Sequence, residues 1–358
     1  MTIFVIPAGT SIRRNQQILS FAQLVNGEGA IMIVAEPLVT VLTPVYNGAK
    51  YLSVCVESVL HQDYKHWEYI IVNNCSSDAT LDIASSYAEK DPRIRVINNP
   101  KFVDVIENHN IAFGCVSKDS RYCKVVSADD WIYPECISRM VQVMEEHASV
   151  VIVGCYSISS AGVWYVGLPP DRSVFTGSEV CRMHMLGGRL VMGAPTAVLY
   201  RSDIVRSEGR FFPGSAPSAD IAACYRSLRH CDFGFVHQIL AFQRIHDEAL
   251  SDEQGRLRAY HLDRIAFVAE YGRHFLTNEE YDRRMGELLD FYYSDVLASA
   301  FVKRAPQSFW NYHKDRLEQI GLPFERGRFR RAVIHKIVDL LCNPKQSLEK
   351  ARSHLNAS

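Results

Sequence analysis

Two aspartates stand side by side at Asp129 and Asp130, separated by Ser127-Ala128 from the apolar run Val125-Val126 and just before Trp131. Like charges this close repel unless a cation or strong hydrogen-bond donors compensate them. Paired carboxylates in such a place suit a divalent metal that in turn holds a phosphate. A second segment has the same build: the run Val39-Thr40-Val41-Leu42 stops on Thr43-Pro44-Val45-Tyr46-Asn47. Each segment reads as a strand with its chemistry at the C-terminal end. In an open α/β sheet, ligands bind in the crevice outside those ends, so two such ends build one site together.

The elements that must position these residues follow from periodicity. Strands are expected at 39–43, 68–72, 94–97, 122–126 and 150–154, alternating with helices at 50–61, 79–89, 104–116 and 134–147. Leu52, Val56, Val59 and Leu60 share one helical stripe, and Ser77 or Asp78 is placed to cap the helix holding Leu81 and Ile83. That rhythm predicts an α/β fold whose mainly parallel sheet is sandwiched by helices. From 157 to 214 the periodicity weakens and Gly and Pro accumulate, which reads as a loop-rich, substrate-facing half. Helical patterning returns at 220–229, a strand follows near 233–240, and long helical segments cover 256–271 and 279–302.

Composition narrows the function class. The 358 residues carry 39 Lys and Arg against 40 Asp and Glu, a formal net charge of -1, so no general pull toward nucleic acid is built in. The 10 cysteines include no CxxC pair and no zinc-site spacing, and read as small buried hydrophobes in a reducing cytoplasm. Residues 1–36 are broken by Gln23, Asn26, Gly27, Glu28 and Gly29 and read as an extension, neither a membrane span nor a signal peptide. A cytoplasmic location is the expectation. Gly327 to Ser353 sets basic residues beside Val333, Ile334, Ile337, Val338, Leu340 and Leu341. Such a helix lies peripherally on an anionic membrane face or, more commonly, packs its apolar face on the domain.

The strings Thr43-Pro44-Val45-Tyr46-Asn47, Asn73-Asn74-Cys75-Ser76-Ser77-Asp78 and Ser127-Ala128-Asp129-Asp130 together resemble the nucleotide-sugar-binding half of family 2 glycosyltransferases with the GT-A fold. Order and approximate spacing match, closely over 38–154 and more loosely to about 251. The resemblance implies a Rossmann-like GT-A domain over 37–252, with a nucleotide-binding part at 37–156, an acceptor-facing part at 157–252 and a helical C-terminal region at 253–358. It implies an inverting transfer from a nucleoside diphosphate sugar to a saccharide or lipid-linked acceptor, with Mg²⁺ or Mn²⁺ neutralising the leaving diphosphate.

Carried over residue by residue, Thr43, Pro44, Tyr46 and Asn47 would bend around the nucleobase, with Asn73 and Asn74 where the family has two aspartates. Asn110 matches a donor-facing position. Asp129 and Asp130 would hold the metal, Asp130 being the first choice, although Asp130 could instead cap the helix near Pro134. Ser127 stands where the fuller pattern has Asp. Asp220, in Ser218-Ala219-Asp220, is the candidate base or simply a helix cap, and Ala219 replaces the usual first acid. Phe242-Gln243-Arg244-Ile245-His246 resembles the family's aromatic-x-Arg-Ile-His string, so Arg244 would offset diphosphate charge and His246 would supply a metal nitrogen, contact the diphosphate or serve structurally. The departures at Asn73, Ser127 and Ala219 keep open a protein that binds nucleotide sugar without transferring it. A dinucleotide-dependent oxidoreductase is disfavoured, because Pro44-Val45-Tyr46-Asn47-Gly48 is no GxGxxG.

Overall fold

A computed structural model describes residues 3–6, 22–23, 30–33, 36–214, 218–245 and 257–342. Within the N-terminal extension, β1 (Ile3–Ile6), β2 (Ala22–Gln23) and β3 (Ala30–Ile33) pair antiparallel in the order β1-β3-β2. The main domain begins at β4 (Val39–Val45) and continues through α1 (Leu52–Leu60), β5 (Trp67–Asn73), α2 (Thr80–Ala88), β6 (Ile94–Asn98), α3 (Val105–Gly114) and β7 (Tyr122–Val125). Then come β8 (Trp131–Ile132), α4 (Cys136–Glu146) and β9 (Val150–Ser159). The expected strand and helix alternation is present, each element within a few residues of its expected place.

Side-chain alternation along these strands builds two cores, because successive residues point to opposite faces. Val39, Val41, Tyr69 and Ile71 face the layer holding Val56 and Val59 of α1 and Met140 and Met144 of α4. Leu42, Ile70, Val72 and Val125 face the opposite layer with Phe113 of α3. Both faces are therefore covered, which a parallel sheet requires. The cysteines follow suit: all ten are free thiols and six are buried.

The region 157–214 is more regular than its sequence indicates. It holds β10 (Gly162–Trp164), β11 (Val174–Thr176), α5 (Gly177–Met185), a 3-10 turn at Pro195–Ala197, β12 (Val198–Arg201) and α6 (Ser202–Arg206). After it come α7 (Ala219–Ser227) and β13 (Asp232–Phe242). The sheet order is β11-β13-β9-β12-β7-β4-β5-β6, with β10 added to β9 and β8 to β13. The run β7-β4-β5-β6 is parallel, as is β13 on β9, whereas β12 lies antiparallel between β7 and β9. The sheet is thus mixed and mostly parallel where the first two motifs sit. The chain beyond is helical, with helices Ala259–Phe275, Asn278–Phe291, Gln307–Gln319 and Arg326–Cys342 and a π-helical stretch at Tyr292–Ala298. Val268, Tyr271, Leu297 and Phe309 join the same core as Phe113, so this region packs on the domain.

Candidate functional site

Chain order runs outward from β4 to β5 and β6, then returns to β7 on the other side of β4. That reversal is a topological switch point, and the crevice outside it is where such sheets bind ligands. Leu42 pairs with Val125, so Thr43 to Asn47 and Ser127 to Asp130 leave the sheet side by side. The sequence motifs therefore meet at one place.

Asp130 is buried. Its Oδ2 accepts the Thr196 hydroxyl at 2.6 Å, and its Oδ1 accepts the Arg244 backbone N–H at 2.9 Å. Arg244 Nε also donates to the Asp129 carbonyl at 3.0 Å. The Arg244 guanidinium lies 4.4 Å from the Tyr51 ring centre and 5.4 Å from that of Trp131, which itself stacks on Phe242 at 3.6 Å. Cation–π contact on two sides fixes the guanidinium beside the aspartates. Burial, and next the charge of Asp129, push the Asp130 carboxyl well above the usual carboxylate range. The buried Lys124 ammonium eases this from behind but is tied to the carbonyls of Thr196 and Val198. A buried carboxylate beside a half-buried one fits a hard divalent cation.

The two carboxyls differ in their surroundings. Asp130, the first choice as metal ligand, spends both oxygens inside the protein, while half-buried Asp129 lies nearer solvent. Ser127 donates its N–H to Thr196 Oγ1 at 3.0 Å, so this turn is closed by the hydroxyl that serves Asp130. His246 lies outside the described residues. Among those residues no group of three His, Cys, Asp or Glu side chains forms a metal cluster.

Several residues carried over as donor contacts act one step behind the crevice. Thr43 is buried, its hydroxyl bonded to the Val126 carbonyl and the Tyr69 hydroxyl, each at 2.8 Å. Pro44 is buried within β4, opposite Val72. Asn47, at φ 49°, takes the left-handed conformation that Asn tolerates, and its Oδ1 accepts the Ser77 N–H at 2.8 Å. The N–H groups of Asn47, Gly48 and Ala49 donate to Ser76 Oγ, Thr80 Oγ1 and Asp78 Oδ2. The first two motifs are thus stitched into one unit, with Asp78 in a structural role.

The asparagines follow the same logic. Asn73 donates to Asn98 Oδ1 at 2.6 Å. Asn74 grips the peptide of Val103 from both sides, donating to its carbonyl at 2.8 Å and accepting its N–H at 3.0 Å. Asn110 grips Phe212 in the same way, at 3.0 and 2.9 Å. An amide that both donates and accepts suits this task. Each of these three amides spends at least one N–H inside the protein. Asn74 thereby fixes the loop carrying Phe102, whose exposed ring meets exposed Tyr46 edge-on at 4.8 Å. This pair, half of it missed in the sequence, is an exposed aromatic surface at the rim.

Asp220 lies in the first turn of α7, its Oδ1 accepting the Ile221 N–H at 2.9 Å. Burial pushes its carboxyl up to about 6. Tyr165, at φ 64°, donates to Gln243 Oε1 at 3.1 Å. Burial raises the Tyr165 phenol, and the charges of Asp220 and Asp130 add to that rise, so the ring lies within electrostatic reach of both acids. Tyr165, Gln243 and Thr196 complete the site. Only Gln243 fell inside a string that sequence reasoning singled out.

The helix bearing Asp220 is held from behind. Ser218, just before it, donates to Asp263 Oδ2 at 2.6 Å, and Arg316 donates to Asp263 Oδ1 at 3.2 Å. Asp263 is 1% exposed, so this link from two C-terminal helices to the start of α7 is dry. No sequence spacing announces it.

Comparison with known proteins agrees with this geometry. Residues 40–208 match Glycosyl transferase family 2. Over these residues, just under half of its length, the chain is similar to that family. A putative teichuronic acid biosynthesis glycosyltransferase, TuaG of Bacillus subtilis, is 32% identical over 139 residues, covering 39% of this chain and 53% of TuaG. An uncharacterized glycosyltransferase of Haemophilus influenzae is 32% identical over 120 residues, 34% of this chain and 36% of the relative. The chain thus spans about a third to a half of the length of these two curated relatives. Among solved structures, S. aureus TarS 1-349 in complex with UDP-GlcNAc superposes with TM-score 0.57 at 17% identity, covering 79% of this chain and 80% of TarS 1-349. The mannosyltransferase PcManGT of Pyrobaculum calidifontis, in complex with GDP-Man and Mn²⁺, gives TM-score 0.52 at 14% identity, covering 86% and 88%. At these identities the structures establish the GT-A fold of the glycosyltransferase domain.

Proposed function

We propose that this chain transfers a glycosyl group, with inversion, from a nucleoside diphosphate sugar to an acceptor hydroxyl in polysaccharide or glycolipid assembly. The observation that supports this best is the grouping of Asp129, Asp130 and Arg244 at the switch-point crevice, with Asp220 in reach of the same Tyr165. In this reading Tyr46 and Phe102 face the base, and Asp129, backed by Asp130 and with His246 from the resemblance, holds Mg²⁺ or Mn²⁺. The cation would supply charge neutralisation for the departing diphosphate. Arg244 adds a fixed positive charge beside it. Asp220, ionised above about pH 6, accepts the proton of the acceptor hydroxyl as its oxygen attacks the anomeric carbon. TuaG, which is named for teichuronic acid biosynthesis, supports a polysaccharide as the acceptor class, by analogy.

A thermal-shift screen against UDP, GDP, TDP and CMP sugars, each with and without Mn²⁺, tests the donor half. One donor is expected to raise Tm by roughly 5–10 °C at a concentration 100 times Kd, and only with metal. Asp129→Ala should remove the metal-dependent part. Asp130→Ala should weaken binding and also lower the Tm of the free protein, because Thr196 and the Arg244 N–H lose their shared acceptor. No stabilising donor in folded protein, or unchanged metal dependence in Asp129→Ala, would reject the assignment. The second reading, donor binding without transfer, is favoured by Ala219, whose buried methyl replaces an acid. It predicts a donor-induced shift with no turnover on any acceptor.

A further inference from the structure

The C-terminal helix Arg326–Cys342 uses only one side to pack. Phe329 and Ala332 join the main core, with Phe329 against Phe324, Trp310 and Phe301. On that side Arg328 pairs with Asp290 and Glu325, and Lys336 with Asp295. The opposite side carries Ile334, Ile337, Val338 and Leu341, spaced i, i+3, i+4 and i+7, which is a single stripe about 100° wide at 3.6 residues per turn. All four are exposed, Ile334 by 61% and Leu341 by 74%. The packing expected of this helix is therefore met by its other side, and its strongest apolar stripe faces water.

The charges around the stripe are of one sign. Arg330 lies one turn before Ile334 on the same stripe, and Arg331 one turn before it on the flank shared with Val338. Arg326, Arg330 and Arg331 are exposed and form no ion pair among the described residues. The sequence after Cys342 adds Lys345, Lys350 and Arg352 against a single acid, Glu349. A second copy of the same helix on this stripe would bring like charges together, which disfavours self-association. No helix of the described residues is long and apolar enough to cross a membrane.

We infer that this stripe docks the protein peripherally on an anionic lipid surface, with Ile334, Ile337, Val338 and Leu341 entering the headgroup boundary and Arg330 and Arg331 meeting lipid phosphates. An apolar face flanked by arginines, lying flat, is the arrangement that binds an interface without spanning it. The inference is independent of glycosyl transfer, since it concerns a surface outside the crevice.

Cosedimentation of the full chain with vesicles of phosphatidylcholine alone, or with about a third phosphatidylglycerol, tests it. Binding is expected on the anionic vesicles, weakened by 0.5 M NaCl and at least ten-fold poorer on the neutral ones. Arg330→Gln with Arg331→Gln should lose roughly ten-fold or more of anionic-vesicle binding and little of any neutral-vesicle binding. Ile337→Glu with Leu341→Glu should abolish both at unchanged Tm, since these side chains are already exposed. Wild-type protein that ignores anionic vesicles, or variants that bind as well as wild type, would overturn the inference. So would light scattering showing a wild-type dimer that the Ile337→Glu, Leu341→Glu protein lacks, together with no vesicle binding.

Discussion

Asp220→Asn is expected to lower kcat by about 10²- to 10⁴-fold, the range for loss of a general base, while leaving the donor Kd within about two-fold of wild type. The same change is expected to stabilise the fold at pH 8. Burial holds the carboxyl at about 6 against an ordinary 3.8, so between those values the native state binds a proton that the unfolded chain has released. Stability from this group is therefore present below about pH 4, falls as pH rises toward 6, and is fully lost above it. A gap of about two pH units corresponds to at most about 3 kcal/mol. Asparagine removes the charge, so the variant's advantage in Tm should be clear at pH 8 and vanish near pH 4. Wild-type kcat/KM should in turn fall below about pH 6 as the base takes up its proton. Equal turnover in Asp220→Asn would remove Asp220 from the reaction. A lower Tm at pH 8 would instead show that the carboxylate is held by partners stronger than the Ile221 N–H.

The second large effect is expected behind the crevice, at Asp263. Asp263→Ala takes the carboxylate from the partly buried Arg316 and leaves buried Ser218 without its acceptor. Breaking one partner of a buried pair costs about 3–5 kcal/mol, because the remaining charge is left uncompensated. For a domain of this size that is roughly a 10 °C fall in Tm. Asp263→Asn keeps an oxygen for Ser218 and should fall less. Where folded protein can be assayed, both variants should lose kcat more than KM, since Ser218 sets where α7 and Asp220 begin. Urea denaturation places the cost directly. A midpoint within error of wild type for Asp263→Ala would mean that the link carries no stability.

The parts of the fold legible from sequence are those whose signals are local. The alternation in Val39 to Leu42 and the stripe Leu52, Val56, Val59 report their faces without reference to distant chain, and they correctly place β4 and α1. Strand β12 could not be found that way. Its four residues Val-Leu-Tyr-Arg become a strand only because Leu199 meets both Lys124 and Val153, partners more than 45 positions away. Thr196 was invisible for the same reason, since its hydroxyl matters only once the turn before β12 lies against Asp130. Asn74 and Asn110 were legible as polar residues near a site. Which direction an amide points is decided by whether a peptide group lies within reach, and Val103 and Phe212 supply one in each case. Tyr165 gave no signal, because its place depends on a left-handed backbone turn after β10.

The grip of Asn74 on the Val103 peptide separates two properties that binding sites often combine. The loop at 99–103 is fastened by hydrogen bonds to and from Asn74, while Phe102, exposed at its tip, takes no part in those bonds. Side chains at 100–102 can therefore be exchanged without unfastening the loop. Such a wall behaves as a cassette: new ligand preferences can be explored by substitution at its tip, while the strand ends, the turn stitching and the carboxylates stay as they are.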